Sequence, residues 1–492
     1  MTFNEIPSNN LVPLFMTEIS NVNAVKGGAM PQKNILVGQA LDGNSEFIGT
    51  PVQVRSATQA DAAFGQGSQL ALMCRAFLKN SKNSDLWALA VADDQTNGAK
   101  ASGTITAAVT GVLESTGTLY LMIGGQAVNV TCRAGNTAAN VASAIAERIN
   151  ALGNLPVVAT VAEAVVTVTA KNAGAFGNGI DIRYNHNQGE ELPEGLSVTI
   201  SAMANGAGDA SYEDAGLAEI LAGTWYNSFV IGSSDSTNIA YFKDILDERW
   251  TATVQQTAEL FVSQNALTTK SGLQTFGNAQ NSQVISTHGL PKTPTPGFEV
   301  ASAVLGVIAP LSLEDPAAPL ANVIVKGIVA PRYEDKIGLA DGNDLLRAGV
   351  ALLKSDDAGN VILGRCVTTY KRTAAGAEDT SYQQLEVIYT LAYLRWYWNN
   401  HIATKFPRAK LADDGNVFGP EAGVIVTPTD IKAELLECYD YWYRKGLVQN
   451  KEEFEANCYV VRDPDDDNAV QIYIPADLVD QLFVGKSLLA FK

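Results

Sequence analysis

Hydrophobic and polar positions follow two different periods along the chain, which separate strand-like from helix-like segments. Short, mostly apolar runs bounded by turn residues are typical of buried strands, and they occupy residues 35–37, 51–55, 85–91, 228–232, 259–262 and 283–286. Segments with helical periodicity lie between them, at residues 59–64, 69–80, 237–250, 270–277 and 299–309. Because strands alternate with helices, the pattern predicts an α/β layer built on a parallel sheet.

Residues 98–206 interrupt this pattern with a different composition, rich in Thr, Val, Ala and Gly and poor in aromatic residues. Runs with a period of two residues, separated by glycine-containing turns, are typical of half-buried strands; they lie at residues 119–123, 128–131 and 165–169, with one amphipathic helix near 138–152. We therefore predict an inserted β-rich domain, which divides the α/β core into residues 33–97 and 207–335.

Residues 336–482 are predicted to form a separate α+β domain. Ser381 and Gln384 resemble a capping box at the start of a long helix that reaches about Lys405. A second helix begins at Thr427-Pro428, with Asp430 near its positive end, and stops at Gly446. Val470, Ile472 and Ile474 then alternate with polar residues, as in a strand.

The two chain ends, residues 1–32 and 483–492, are predicted to be extended arms. The first contains three prolines around an apolar stretch that includes Leu11, Val12, Leu14 and Phe15, and proline confines a strand to a sheet edge. The second carries Phe483, Val484, Leu488, Leu489 and Phe491. Each arm either completes the chain's own sheet or pairs with a neighbouring subunit, and the residues alone leave both alternatives open.

Size, charge and cysteine content narrow the class of protein. The 492 residues are too many for one core and suggest about three domains. The net charge of -18 disfavours binding to nucleic acid and to anionic membranes. No signal peptide is recognisable at the N-terminus, and the apolar runs look too short to span a bilayer. Five scattered cysteines without a Cys-x-x-Cys pair predict reduced, packed thiols in a chain that folds in cytoplasm.

Hydrolase chemistry has weak support in the sequence. His288 follows a predicted strand in a Thr-His-Gly segment, as some catalytic histidines do, but no Gly-x-Ser-x-Gly turn supplies a nucleophile. We therefore interpret His288 as a loop histidine. Asp379-Thr-Ser381 resembles half of an aspartic-protease site, but a second triplet is missing, and a helix cap explains it.

Signals for phosphate and metal binding also fail in detail. Gly485-Lys486-Ser487 resembles the end of a P-loop, but the first glycine of such a loop would fall at Asp480. The acidic residues of segment 463–468 begin with the spacing of a calcium loop, but Asn468 replaces its glycine and Ile474 its bidentate acid. The interpretation is a solvated hairpin turn, and we predict no catalytic residue, cofactor or metal.

An ordered series of motifs in the last third of the chain provides the clearest indication of function. The motifs are Gly359-Asn-Val-Ile-Leu-Gly-Arg-Cys-Val-Thr-Thr-Tyr370, Asp379-Thr-Ser-Tyr382, Thr390-Leu-Ala-Tyr-Leu-Arg395, Lys405-Phe-Pro-Arg-Ala-Lys-Leu411 and Ile474-Pro-Ala-Asp-Leu-Val-Asp-Gln-Leu482. Their order resembles the C-terminal domain of contractile-tail sheath proteins, in particular those of Mu-like bacteriophages. The resemblance is strongest over residues 355–492 and weakest over 98–206.

The resemblance implies a structural protein of the virion tail sheath, assembled in the host cytoplasm. Such a subunit forms hexameric rings that stack around a tail tube and contract to drive the tube through the host envelope, and its other partners are the baseplate and tail terminator proteins. In this family the C-terminal domain faces the tube, so the candidate tube contacts are Lys405, Arg408 and Lys410. The candidate donated strands lie in the two arms, with hinges at Gly27, Gly28 and Pro475. The sheath of a phage-derived bacteriocin or injection device and, less favoured, an α/β hydrolase remain alternatives.

Overall fold

The computed structural model describes residues 30–264 and 268–491. Its helices are α1 Ala57–Phe64, α2 Gln69–Asn80, α3 Ala138–Ala151, α4 Leu217–Ala222, α5 Ser236–Trp250, α6 Lys270–Ala279, α7 Gly297–Glu314, α8 Leu339–Arg347, α9 Leu385–Lys405, α10 Pro428–Arg444 and α11 Lys451–Asn457. Its strands are β1 Lys33–Gln39, β2 Val52–Gln53, β3 Asp85–Val91, β4 Ser102–Val109, β5 Gly117–Ile123, β6 Gln126–Cys132, β7 Val157–Ala162, β8 Val165–Ala170, β9 Ile182–Tyr184, β10 Leu196–Ala204, β11 Ser228–Ile231, β12 Glu259–Val262, β13 Ile285–Gly289, β14 Val323–Val325, β15 Val350–Ser355, β16 Val361–Arg365, β17 Lys410–Leu411, β18 Ile425–Val426, β19 Val448–Gln449, β20 Tyr459–Arg462, β21 Val470–Tyr473 and β22 Asp477–Leu478.

A nine-stranded sheet forms the centre of the molecule, in the order β14-β16-β15-β13-β12-β11-β1-β3-β2. The six strands from β15 to β3 pair in parallel, whereas β2, β14 and β16 are antiparallel. The central parallel strands β11, β12 and β13 are buried on both faces, as strands covered by helices on both sides must be. The chain is therefore a multi-domain α/β protein, as predicted. The strands β15 and β16 extend the central sheet although they lie beyond residue 335, and the predicted domain limits stay a prediction.

Each face of this sheet has its own hydrophobic core. Leu36 and Phe261 lie in the core on the α2 and α7 side, and Phe229 and Leu260 lie in the core on the α5 side. The two helices of the first side pack closely, because a Cβ added at Gly306 of α7 would lie 2.5 Å from the carbonyl oxygen of Phe77 in α2. Since overlap at that distance is not tolerated, glycine at this position sets the separation of the helices.

Helix α7 corrects one expectation from the sequence. Among the described residues it is long and apolar enough, by length and composition, to cross a membrane. However, 72% of it is buried inside the protein, against the central sheet and α2. An apolar helix that is enclosed on most sides is typical of a soluble core. The statement that every apolar run is too short to span a bilayer is therefore wrong for α7.

Residues 102–204 form two small sheets and one helix around a separate hydrophobic core. The sheets have the orders β10-β4-β8-β7 and β6-β5-β9. Helix α3 packs against both, and it begins with a capping box formed by Thr137 and Asn140. The two connections to the central sheet lie side by side, because the amide of Ala99 donates to the carbonyl of Ala207 over 2.8 Å. An insertion with adjacent ends leaves the surrounding fold continuous.

A buried polar network joins this segment to the central sheet. Asn172 donates to Asp93 and to the carbonyl of Ala40, over 2.9 and 2.8 Å, and its side-chain oxygen accepts the amide of Gln69 at 3.0 Å. Gln69 accepts the amide of Gln39 and donates to the carbonyl of Gly232. Because these polar groups are paired inside the protein, the network orients the two parts at little cost.

The segment after residue 380 packs α9 against α10 and a small group of short strands. Helix α10 has the predicted start, with Pro428 in its first turn and a capping box between Thr427 and Asp430. The predicted capping box at Ser381 is wrong, since α9 begins at Leu385 without a side-chain cap. Thr368 provides the reason: it bonds the carbonyls of Tyr382 and Gln383, so the chain before Leu385 cannot enter the helix.

Candidate subunit interface

The C-terminal tail, residues 483–491, forms neither helix nor paired strand and is exposed from residue 484 onward. Its start is held by Gln481, which donates to the carbonyl of Ala317 over 3.1 Å, and by the Phe483 ring, 4.4 Å from the Arg365 guanidinium carbon. Beyond these contacts Leu488, Leu489 and Phe491 are 90% or more exposed, and Val484 is 68% exposed. Such a group of exposed apolar side chains favours a partner.

Of the other predicted strand-donation and hinge residues, only Pro475 lies within the part of the chain that the structure describes. Leu11, Val12, Leu14, Phe15, Gly27 and Gly28 lie outside the described residues. Pro475 lies between β21 and β22 and is half-buried. The next peptide forms a tight turn, in which the amide of Ala476 donates to the carbonyl of Ile474. The role of Pro475 as a hinge stays a prediction.

The hairpin β20–β21 offers unpaired edges close to the chain end. It is a separate two-stranded sheet with Tyr459 paired to Tyr473. Tyr459, Val461 and Tyr473 are 43–49% exposed. Exposed edges of this kind can accept another strand. The sequence predicted β21 and the acidic turn. The partner strand β20 was recognised only from its pairing with β21 in the structure.

The acidic turn of this hairpin is the segment that resembles the start of a calcium loop. The carboxylate of Asp463 accepts the amide of Asp465 at 2.9 Å and the side chain of Gln471 at 3.1 Å. The backbone hydrogen bond from Asp465, with the Gln471 contact, lowers the pKa of Asp463. Within residues 30–264 and 268–491, no three potential ligands cluster to hold a metal ion. The predicted hairpin turn is confirmed.

Of the predicted tube contacts, Lys405 is the last residue of α9, Arg408 and Lys410 follow the helix, and all three are exposed. The Lys405 ammonium pairs with Glu434 at 3.1 Å, and this hydrogen bond raises the pKa of Lys405. Lys410 donates to the carbonyl of Ala422 over 2.8 Å. These contacts hold two of the three cations in fixed positions on the surface. Their role in tube binding stays a prediction.

His288 lies in the interior of the central sheet, not in a loop. It belongs to β13 and pairs with Ala351 of β15. Its ring is fully buried, stacks on Phe261 and lies 2.9 Å from the Ser286 hydroxyl, which donates to the carbonyl of Val367. Burial lowers the pKa of His288 to about 3, so the ring is neutral. A serine committed to a backbone carbonyl in a closed core cannot act as a nucleophile on a substrate.

The other catalytic and phosphate-binding candidates have structural explanations. Asp379 accepts hydrogen bonds from Tyr370, from the amide of Ser381 and from its hydroxyl, so the triplet stabilises a local turn. Gly485, Lys486 and Ser487 lie in the exposed tail, without the strand and helix that a P-loop requires.

The usual ligand position of a doubly wound sheet is also filled. In such sheets ligands bind at the carboxyl ends of strands where the strand order reverses, which here falls between β1 and β11. Gln69 lies across this point, and a Cβ added at Gly232 would be 2.4 Å from its side-chain oxygen. Asn172 and Asp93 occupy the rest of this position, where Asn172 accepts the amide of Gln69 and donates to Asp93. The space directly above β1 and β11 therefore supports structure and not nucleotide binding.

Glu259 is an unexpected buried carboxyl in β12, beside Ser228 of β11. It is 1% exposed, and neither carboxyl oxygen has a hydrogen-bond partner. Burial raises the pKa of Glu259 well above its ordinary value. Between the ordinary and the raised pKa the folded chain binds a proton that the unfolded chain has released, so rising pH lowers the stability across that window.

Replacing Glu259 by glutamine is therefore expected to remove a pH-dependent loss of stability. Glu259→Gln and the wild type should have similar unfolding free energies near pH 4. As pH rises, the variant should become more stable, by at most about 1.4 kcal/mol per pH unit. Urea unfolding at several pH values measures the difference. Glu213→Gln, at an exposed position, is the matched control; parallel curves for Glu259→Gln and the wild type would contradict the argument.

Comparison with known proteins identifies the class to which this fold and exposed chain end belong. The phage tail sheath C-terminal domain model matches residues 377–484. The Mu-like prophage FluMu tail sheath protein of Haemophilus influenzae is 34% identical, with 100% of this chain and 99% of that protein covered. The chain therefore belongs to the phage tail sheath family, the family indicated by its C-terminal motifs. As a member of a structural family, it is not an enzyme.

Solved structures of sheath proteins are also similar to the chain. The crystal structure of a sheath tail protein from Desulfitobacterium hafniense has a TM-score of 0.48 and 11% identity, with 96% of this chain and 97% of that chain covered. The contracted sheath complex of an extracellular contractile injection system has a TM-score of 0.47 and 10% identity, with 100% and 98% covered.

Proposed function

We propose that this chain is the subunit of a contractile sheath, assembled as stacked hexameric rings around a tail tube. Contraction of the sheath drives the tube through the envelope of the host cell. The observation that carries the proposal is the exposed apolar tail, residues 483–491, in a chain that is 34% identical over its full length to a tail sheath protein. The sheath of a phage-derived bacteriocin or injection device is the alternative that the same features support.

Subunits are linked by strands donated from the two arms. The tail has little contact with its own chain, so it is available to a neighbour. The hairpin β20–β21 is the acceptor that we favour, because its edges are unpaired and its outward side chains are half-exposed. A main-chain ladder provides affinity without a large interface, and side-chain contacts add specificity.

Contraction requires that subunits rotate and repack while they remain connected. A donated strand meets both needs, since its hydrogen bonds persist while hinge residues absorb the rotation. Gly27 and Gly28 would serve the N-terminal arm and Pro475 the C-terminal segment. The contact is head-to-tail, so it propagates as a helix and does not close as a dimer.

The tail tube is the proposed partner of the inner surface, and the baseplate and tail terminator proteins are the partners of the sheath ends. Lys405, Arg408 and Lys410 are cations in a chain with a net charge of -18. A tube surface of the opposite sign would be attracted to them. Arg408 would provide the most adaptable contact, since Lys405 and Lys410 already have partners on their own chain.

The segment 98–206 is proposed to lie on the outside of the assembly and to be dispensable for polymerisation. Its small sheets have their own core and its ends are adjacent. Replacing it with a short Gly/Ser linker is expected to leave sheath formation intact, as measured by electron microscopy of the purified variant. A folded, soluble variant that forms no tubes would show that the segment is part of the subunit linkage.

Negative-stain electron microscopy of the expressed protein tests the proposed function. We expect hollow, striated tubes, because stacked rings produce regular transverse striations. Subunits that remain monomeric at high concentration, or that form closed shells, would contradict the proposal.

A further inference from the structure

His186 is the only histidine in residues 98–206, and it lies where this inserted segment meets the loop that follows β14. From that loop Arg332 donates to the carbonyls of Tyr184 and Asn185, over 3.1 and 3.2 Å. These contacts are separate from the buried network that joins the inserted segment to the central sheet. The segment is therefore held to the core in at least two places, and the contact at His186 contains a side chain that titrates close to neutral pH.

The two ring nitrogens of His186 have different partners, which fix a neutral tautomer. Nε2 lies 3.1 Å from the carbonyl oxygen of Ala330, which can only accept a hydrogen bond, so Nε2 carries the proton. Nδ1 lies 3.3 Å from the Arg183 guanidinium, which can only donate, so Nδ1 accepts. A second proton on the ring would have to bind Nδ1, where it would replace an acceptor with a donor and break the contact with Arg183.

The charges around the ring also oppose a second proton. Arg183 and Arg332 lie beside it, and Asp181, which pairs with Arg183, is the carboxylate that balances them. On the core side Lys292 and Asp335 neutralise each other over 2.7 Å. A protonated ring would therefore give three cations against one carboxylate in a half-buried cluster. Burial and the two guanidinium groups lower the pKa of this histidine.

Asp181 has the opposite dependence on pH. Burial raises the pKa of Asp181, so the docked chain takes up a proton there more readily than a separated chain does. Falling pH therefore opposes docking at His186 and favours it at Asp181. The loss at His186 begins near the ordinary histidine pKa of 6.5, whereas the gain at Asp181 is complete only at the ordinary carboxyl pKa of 3.8. A variant of His186 alone separates the two effects.

We propose that His186 is a pH-sensitive latch between the inserted segment and the core. While the ring is neutral, its two hydrogen bonds keep the latch closed. Protonation of Nδ1 breaks the bond from Arg183 and adds a cation beside Arg332, so residues 183–186 separate from the loop that follows β14. The inserted segment then stays attached through the buried network and its paired connections, and it gains freedom to turn about them. The latch is a property of the single chain and does not depend on how subunits assemble.

Hydrogen–deuterium exchange of the full chain tests whether acid opens the latch. After correction for the direct effect of pH on amide exchange, lowering the pH from about 7.5 to about 5.5 should raise the open fraction of residues 183–186 by up to about tenfold, because a free histidine takes up its proton in this range. Exchange in β1, inside the central sheet, should not change.

His186→Gln is the variant that isolates the histidine. Its amide nitrogen can donate to the Ala330 carbonyl and its amide oxygen can accept from Arg183, so both contacts remain and neither titrates. The opening in acid should therefore be absent from His186→Gln. It should persist in His401→Gln, the matched control, whose native ring pairs with Glu434 over 2.8 Å between α9 and α10. The same pH dependence in the wild type and in His186→Gln would overturn the proposal.

Histidine ring signals measured by NMR provide a second test, since the chain has only three histidines. The ring of His186 should titrate below pH 6.5, and Arg332→Gln, which removes one neighbouring cation, should move the midpoint upward. The same variant should open the latch at neutral pH, because it removes the guanidinium that holds the carbonyls of Tyr184 and Asn185. A His186 ring that titrates at pH 6.5 or above in the wild type would contradict the latch.

Discussion

Deleting residues 483–492 is expected to leave a folded monomer that forms no sheath at any concentration. The tail contributes little to its own chain, since Val484, Leu488, Leu489 and Phe491 are exposed and its main contact is Phe483 on Arg365. In the assembly each of these side chains would gain roughly 1.5–3 kcal/mol on full burial. Circular dichroism and thermal melting should therefore be nearly unchanged, while sedimentation and electron microscopy should show monomers only.

Two variants of full length serve as controls for this deletion. Leu488→Asp combined with Leu489→Asp and Phe491→Asp keeps the tail but removes its apolar side chains, and it should also fail to assemble. Ser487→Ala should assemble normally. A truncated chain that unfolds would mean that the tail belongs to its own core. A truncated chain that still builds tubes would mean that the N-terminal arm alone provides the linkage.

Extended sheaths are expected to contract in a single exothermic and irreversible transition that requires no nucleotide. Under the proposed function the energy of contraction is stored during assembly, as a kinetically trapped state above the contracted one. Scanning calorimetry should show heat release on the first scan and none on the second. The temperature of the contraction transition should rise with scan rate, because the transition is kinetically controlled.

Scanning calorimetry of extended sheaths with and without magnesium and ATP tests whether a nucleotide supplies the energy of contraction. We expect identical traces, because no step of the proposed mechanism consumes a nucleotide. A reversible transition, or one that appears only with ATP, would contradict the storage of energy at assembly. Electron microscopy before and after the scan verifies that the heat accompanies shortening of the tubes.

Local patterns predicted many of the elements well. The sequence placed α2 at residues 69–80 and β3 at residues 85–91, the bounds that the structure has. It also predicted the start of α10, where Thr427, Pro428 and Asp430 act within one turn. These elements could be predicted because their signals are apolar periodicity and caps, which depend on residues close together in the chain.

Predictions that depended on a distant partner were less successful. The sequence suggested a helix cap at Ser381, but hydrogen bonds to Thr368 delay the start of α9. It placed His288 in a loop, whereas pairing with β15 extends β13 to Gly289. In both cases a tertiary contact overrode a weak local preference.

The sequence by itself determined the α/β class, the family resemblance and the apolar character of the chain end, because each depends on residues that are close together in the chain. Tertiary structure decided which surfaces are available. Trp250 from α5 and Trp442 from α10 line one cavity, and the filled position above β1 joins Gln69 with Asn172. Residues so far apart meet only when the chain packs, and local periodicity contains no information about that packing.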